Sequence, residues 1–328
     1  MDDIITLDYG SGGGKTASLI DELILPAFGN EALNALGDGA LIGGGLAFST
    51  DSFVVTPLEF PGGDIGKLAV CGTVNDLAMC GAEPQYLSLA LIIEEGLETE
   101  RLRRILASAA AAAKAAGVQV VTGDTKVVER GRGDGLYINT AGIGKVKYPG
   151  LTPRSMRPGD VVLLSGTAGD HGTAVMLARG DLMHGEVKSD CAALNSFVSA
   201  LMDSGAGVRC LRDPTRGGVV TTLCEFAADS GCGIELSEPD IPVRRDVAAA
   251  SALLGLDPLY SANEGKLLAV VSPETADAAL AALRAHPLGA DAAVIGRVTE
   301  GRRVILKTAS GGSRVLRKLS GAQLPRIC

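Results

Sequence analysis

At 328 residues the chain is longer than one hydrophobic core usually organises, so two domains are expected. Hydrophobic residues make up 46% and charged residues 21%, which excludes a disordered polymer, and no apolar run approaches the roughly 20 residues of a membrane-spanning helix. A net charge of −8, no Trp and only 3% aromatic residues argue against nucleic-acid binding, because phosphates are repelled and bases find few stacking partners.

The opening MDDIITLDYGSGGGK carries acids and no basic or long apolar leader, so a cytoplasmic protein is expected, its seven cysteines present as thiols. Residues 46–55 read as a strand and 66–80 as a helix that carries Asn75 and Asp76 among apolar neighbours. YLSLALII reads as the next strand. The alanine-rich run from Glu98 to Ala116, stopped by Gly117, predicts a helix, and VQVVTGDTKVV predicts a strand after it.

The Pro- and Gly-rich stretch YPGLTPRSMRPGD marks a boundary, dividing an amino-terminal domain (1–150) from a second α/β domain (151–310). In the second half DVVLLSG is a strand and a helix starts near Thr173. DPTRGGVVTTLCEFAADSG is a loop running into another helix, and LLAVVSP and AAVIGRV are strands around the helix TADAALAALRAH. Residues 311–328 turn polar and basic with no element expected to pack, and read as a mobile tail ending in Cys328. Fully extended, the ten residues after Lys318 would span about 33 Å.

The glycine-rich GSGGGK (10–15), with its N–H groups and Lys15, suits a lid over phosphates or a merely flexible segment. Asp38, Asp51, Asp76 and Asp124 stand at turns or strand ends. Together they suggest hard oxygen ligands for Mg²⁺, although capping explains any one of them. Asp213-Pro214-Thr215-Arg216-Gly217 precedes a helix whose first amides and arginine could bind anionic oxygen, or is a plain helix start. Lys126 and Glu264 read as a buried pair that could handle protons or, the reading spacing alone favours, as partners in surface salt bridges, and His171 as a turn-stabilising residue. Cys328 has no visible core to serve, which leaves a functional thiol or a chance surface cysteine.

Six blocks together resemble the HypE family of hydrogenase maturation proteins, the carbamoyl dehydratases. They are GSGGGK, TDSFVVTPLEFPGGDIGKLAVCGTVNDLAMCGA, VTGDTKVV, DPTRGGV, SANEGKLL and the final PRIC. All but the last are shared with the wider aminoimidazole ribonucleotide synthetase-like superfamily, which includes kinases and synthetases of diffusible small molecules, the alternative reading. PRIC narrows the resemblance to HypE.

The resemblance implies a two-domain α/β (α+β) fold: an ATP-binding amino-terminal domain that dimerises through its sheet, and a carboxyl-terminal α/β domain. It implies nucleotide contacts from Gly12, Gly13, Lys15, Asp51, Lys67, Asn75, Asp76, Gly123, Asp124, Asp213, Thr215, Arg216 and Gly217. Mg²⁺ ligation is implied for Asp38, Asp51, Asp76 and Asp124. Cys328, Lys126 and Glu264 would then be catalytic: HypF loads a carbamoyl group on Cys328, ATP drives its dehydration, and a HypC–HypD complex receives the cyanide.

Overall fold

The computed structural model describes residues 2–180, 187–321 and 326–328. Near the amino terminus α1 (Gly14–Leu19) passes through a π-helical turn into α2 (Leu25–Phe28). A five-stranded sheet follows. Its short first strand β1 (Ala40–Ile42) hairpins into β2 (Leu46–Phe53), whose alternation buries Ala47, Ser49 and Phe53 while Phe48, Thr50 and Ser52 face out.

The small hairpin β3 (Glu59–Phe60) and β4 (Gly63–Asp64) delivers the chain to α3 (Ile65–Met79). Asp64 caps this helix by accepting from the N–H groups of Gly66 and Lys67. Every residue of α3 except Lys67 and Asp76 is buried, because the helix is covered on both sides. One side meets the sheet and the helix α4 (Thr99–Ala116), while Ala78 and Met79 pack with Leu194 and Phe197 of the second half.

The sheet is completed by β5 (Ala82–Glu94), β6 (Gln119–Val128) and β7 (Leu136–Val146), in the order β1-β2-β7-β5-β6. The strand β7 was not legible in LYINTAGIGKV because glycines blunt its pattern. Gly142 is there for packing, since a Cβ would come within 2.8 Å of Leu87 and Thr73. β6 pairs parallel to β5 and has no partner on its other side among the described residues, so Val120, Val121 and Val127 are exposed along it.

The second half contains β8 (Val161–Leu164), α5 (Asp170–Arg179), α6 (Asn195–Asp203), β9 (Val208–Arg212), α7 (Gly218–Ser230) and β10 (Gly233–Ser237). It continues with α8 (Arg245–Leu254), β11 (Leu268–Val271), α9 (Ala276–Ala285), β12 (Ala293–Thr299), β13 (Val304–Lys307) and β14 (Ser313–Leu316). The seven strands lie in the order β14-β13-β10-β12-β8-β11-β9, antiparallel except for β10 with β13.

Central strands β8 and β11 are buried on both faces, which explains their unbroken apolar runs. Val162, Leu164, Leu268 and Val270 face Val219, Leu223 and Phe226 of α7; Val161, Leu163, Ala269 and Val271 face Phe197 of α6 and Leu283 of α9. Burying Phe197 and Phe226 stabilises the fold by about 2–3 kcal/mol each.

The expected unpacked tail is corrected. SRVL forms β14 because the exposed edge of β13 offers it a ladder, with Val304 opposite Leu316 and Lys307 opposite Ser313. Lys318 pairs with Glu225 at 2.8 Å, and the carbonyls of Leu319 and Ser320 accept from the N–H groups of Gly14 and Lys15. Residues 322–325, including Pro325 of PRIC, lie outside the described residues.

Candidate active site

Three loops, one strand and one helix converge where the two halves meet. Asp38 precedes β1, Asp51 lies on β2, Asp76 on α3, Asp213, Thr215 and Arg216 on the β9–α7 loop, and Glu264 on the approach to β11. With Cys328 they line a cavity of about 230 Å³. Gly72 of α3 lets the Phe53 ring approach, an added Cβ falling 2.8 Å from it, and lies in ordinary contact with Asp51 Oδ2 at 3.4 Å, so a larger residue there would displace the strand that carries Asp51.

Oxygens of Asp38, Asp76 and Asp213 lie within 4.8 Å of one another. Arg212 approaches Asp38 at 2.9 Å and also holds Glu225 at 2.6 Å; Ser49 Oγ donates to Asp76 Oδ2 at 2.6 Å. Positive charge is nonetheless short. Burial above all, then neighbouring carboxylates, pushes Asp76 and Asp213 well above the ordinary carboxylate range and Asp38 up to about 6. Asp213 Oδ2 and Glu264 Oε1 are buried without a hydrogen-bond partner. Such a donor set fits a divalent cation taking oxygen ligands.

Cys328 is corrected from an uncored thiol to a buried one, 8% exposed, packed in a cluster that includes Cys71, Cys191, Ala262 and Ile327. Its Sγ lies 3.5 Å from Nη1 of Arg216. Burial raises the thiol to about 11, Arg216 opposing the shift and Glu264 and Asp51 adding to it.

Residues 36–146 match the AIR synthase related protein N-terminal domain family and residues 157–308 its C-terminal domain family. The chain is 52% identical to carbamoyl dehydratase HypE of Cupriavidus necator, over 99% of this chain and 95% of that one. It is 49% identical to the Escherichia coli HypE over 99% of each. The chain belongs to the HypE family of carbamoyl dehydratases. Solved HypE structures agree: HypE in a HypE–HypF complex superposes with TM-score 0.89 at 48% identity, over 92% of this chain and all of that one. HypE in complex with ATP gives 0.84 at 48%, over 99% and 100%.

Set on the HypE frame, the residues implied by resemblance divide into two groups. Asp38, Asp51, Asp76, Asp213, Thr215, Arg216, Glu264 and Cys328 share the cavity, with Gly217 at the start of α7 beside Arg216. Gly12 closes against Arg216, an added Cβ falling 3.0 Å from that of Arg216, and Gly13 against the Leu319 carbonyl at 2.4 Å.

The others lie elsewhere in this chain. Lys15 is held by Asp2 at 2.7 Å, Lys67 donates to the Gly62 carbonyl at 3.0 Å, and Gly123 is packed against the Leu89 backbone within the sheet. Asp124 and Lys126 pair with each other at 2.7 Å on exposed β6. One chain therefore brings Lys126 neither to Glu264 nor to the carboxylate cluster of Asp38, Asp76 and Asp213, because Asp124 and Lys126 sit on a sheet edge. Asn75 is a clip rather than a cavity wall: fully buried, its Oδ1 accepts from Leu194 N at 2.7 Å, and its Nδ2 donates to the carbonyls of Ala192 and Glu264.

Other residues had gone unread. Asp190 accepts from Glu264 N at 3.0 Å and ion-pairs with Lys266 at 3.1 Å, fixing the loop that presents Glu264. The run NEGK was the available signal. His171 is corrected from a turn residue to a wholly buried side chain that touches the segment carrying Cys328, a contact across 156 positions that no local pattern reveals.

Proposed function

We infer that this chain performs the HypE reaction on itself: a carbamoyl group carried on Cys328 as a thiocarboxamide becomes a thiocyanate, supplying cyanide for the iron of nickel–iron hydrogenase. The observation that supports this most directly is Cys328 Sγ lying 3.5 Å from Arg216 in a cavity it shares with four aspartates and Glu264. ATP, when bound, supplies the phosphoryl group that turns the amide oxygen into a leaving group.

The chain's own groups have distinct tasks. Asp38, Asp76 and Asp213, with Asp51 beside them, would hold Mg²⁺. Arg216 would steady negative charge on the departing oxygen. Glu264, 2% exposed with Oε1 unpartnered, would accept a proton from the carbamoyl nitrogen. Burial above all, then Asp213, Asp190 and Asp51, raises Glu264 well above its ordinary range while Arg216 opposes the shift, and a cation held by Asp213 would remove part of what raises it.

A second copy of the chain completes the arrangement. The exposed β6 edge, apolar at Val120, Val121 and Val127, would meet its counterpart in a homodimer and carry Lys126 and Asp124 toward a neighbouring site. HypF would load Cys328 and a HypC–HypD scaffold receive the cyanide, all in the cytoplasm.

Intact-mass measurement after incubation with HypF, carbamoyl phosphate and ATP should show the Cys328 adduct becoming lighter by one water. A stable carbamoyl adduct in the presence of ATP, or full ATP consumption by Cys328→Ala in the loaded system, overturns the reading.

A further inference from the structure

Residues 326–328 enter the site through contacts to their main chain. Val54 N donates to the Cys328 carbonyl at 3.1 Å and Thr56 N to the Arg326 carbonyl at 3.4 Å, extending the line of β2. Arg179 donates from Nη2 to the Arg326 carbonyl and from Nε to that of Thr56. Between them His171 Nε2 lies 2.6 Å from the Ile327 carbonyl, and its Nδ1 lies 2.8 Å from Ser189 Oγ.

The protons in this chain follow from donor and acceptor roles. A carbonyl only accepts, so Nε2 carries the hydrogen, while Ser189 Oγ accepts from Cys191 N at 3.1 Å and turns its own hydrogen to Nδ1. Burial lowers the imidazole's affinity for a second proton, and the Phe60 ring meets it edge-on at 5.4 Å. The neutral tautomer aimed at Ile327 is thus held on both sides.

We propose that His171, oriented by Ser189, is a positioning residue that latches the Cys328 segment into the cavity by its backbone. A latch that reads a carbonyl is indifferent to what the sulfur carries. The thiol, thiocarboxamide and thiocyanate forms therefore dock with the same contact, which the Arg216–Sγ contact alone cannot provide. The proposal deepens the functional reading above but is tested without turnover.

The readout is the rate at which iodoacetamide labels Cys328 in the full-length protein, followed by peptide mass mapping with Cys224 as an internal reference. His171→Leu should label Cys328 about tenfold faster, the equivalent of one buried hydrogen bond, with Cys224 unchanged. His171→Gln, whose amide can still donate, should return toward the wild-type rate. Ser189→Ala, which frees the ring and also takes the acceptor from Cys191 N, should fall between and decides the matter if His171→Leu does not fold. Wild-type labelling in His171→Leu or, failing that variant, in Ser189→Ala overturns the latch, as does equal acceleration at Cys224. Failure of wild-type protein to dehydrate its adduct would instead count against the functional reading alone.

Discussion

Asn75→Ala tests whether the two halves are clipped together at the site. The side chain is fully buried and serves three backbone groups, Leu194 N at 2.7 Å and the carbonyls of Ala192 at 3.1 Å and Glu264 at 3.4 Å. Truncation strands the Leu194 N–H, a cost of about 1–3 kcal/mol, and removes two further weaker bonds, for a total of about 3 kcal/mol. At roughly 2–4 °C per kcal/mol for a domain of this size, the melting midpoint should fall by several degrees. Because the Glu264 carbonyl is one of the three partners, single-turnover dehydration should slow as well, while nucleotide affinity measured by calorimetry stays near wild type. An unchanged midpoint, or a lost nucleotide affinity with unchanged stability, would refute the clip and return Asn75 to direct nucleotide contact.

Three further outcomes are expected. Asp38 is raised to about 6 from an ordinary 3.8, chiefly by burial, so the folded state binds more protons than the unfolded one and stability falls as pH rises between those values. Mg²⁺ should therefore raise the melting midpoint well above pH 6 and have little effect near pH 4, and equal Mg²⁺ shifts at both would refute the assignment. Asp213→Asn removes a carboxylate raised by burial and by Asp38 and Asp51, so Mg²⁺-free protein should melt higher while adduct dehydration is abolished. Gly62→Ala should destabilise by more than about 1 kcal/mol, because its φ of +93° is left-handed and a Cβ would fall 2.6 Å from the Ser189 carbonyl; thermal unfolding reads this directly.

Much of the fold was written in local pattern. Gly117 stops α4 where it was expected, with φ +72°, and the apolar runs of β8 and β11 are continuous because helices cover both faces. By contrast β7 and β14 escaped notice. The first is diluted by glycines chosen for tertiary closeness, and the second is short and exists because β13 leaves an edge to fill.

The site divides along the same line. The acids at Asp38, Asp51, Asp76 and Asp124 could be suspected from sequence because carboxylates beside turns and glycines are conspicuous, and PRIC drew attention to Cys328, whereas Asp213 reads locally as part of an anion-binding loop or a plain helix start. Which of those acids face one another was decided by the packing of α3 between the two halves, which gathers Asp38, Asp76 and Asp213 and leaves Asp124 outside on β6. The tertiary structure alone also made His171 a partner of Ile327 and Asn75 a clip, since both depend on contacts more than one hundred residues apart. Local chemistry determines what each side chain can do; long-range packing, which no short motif encodes, determines which of them do it together.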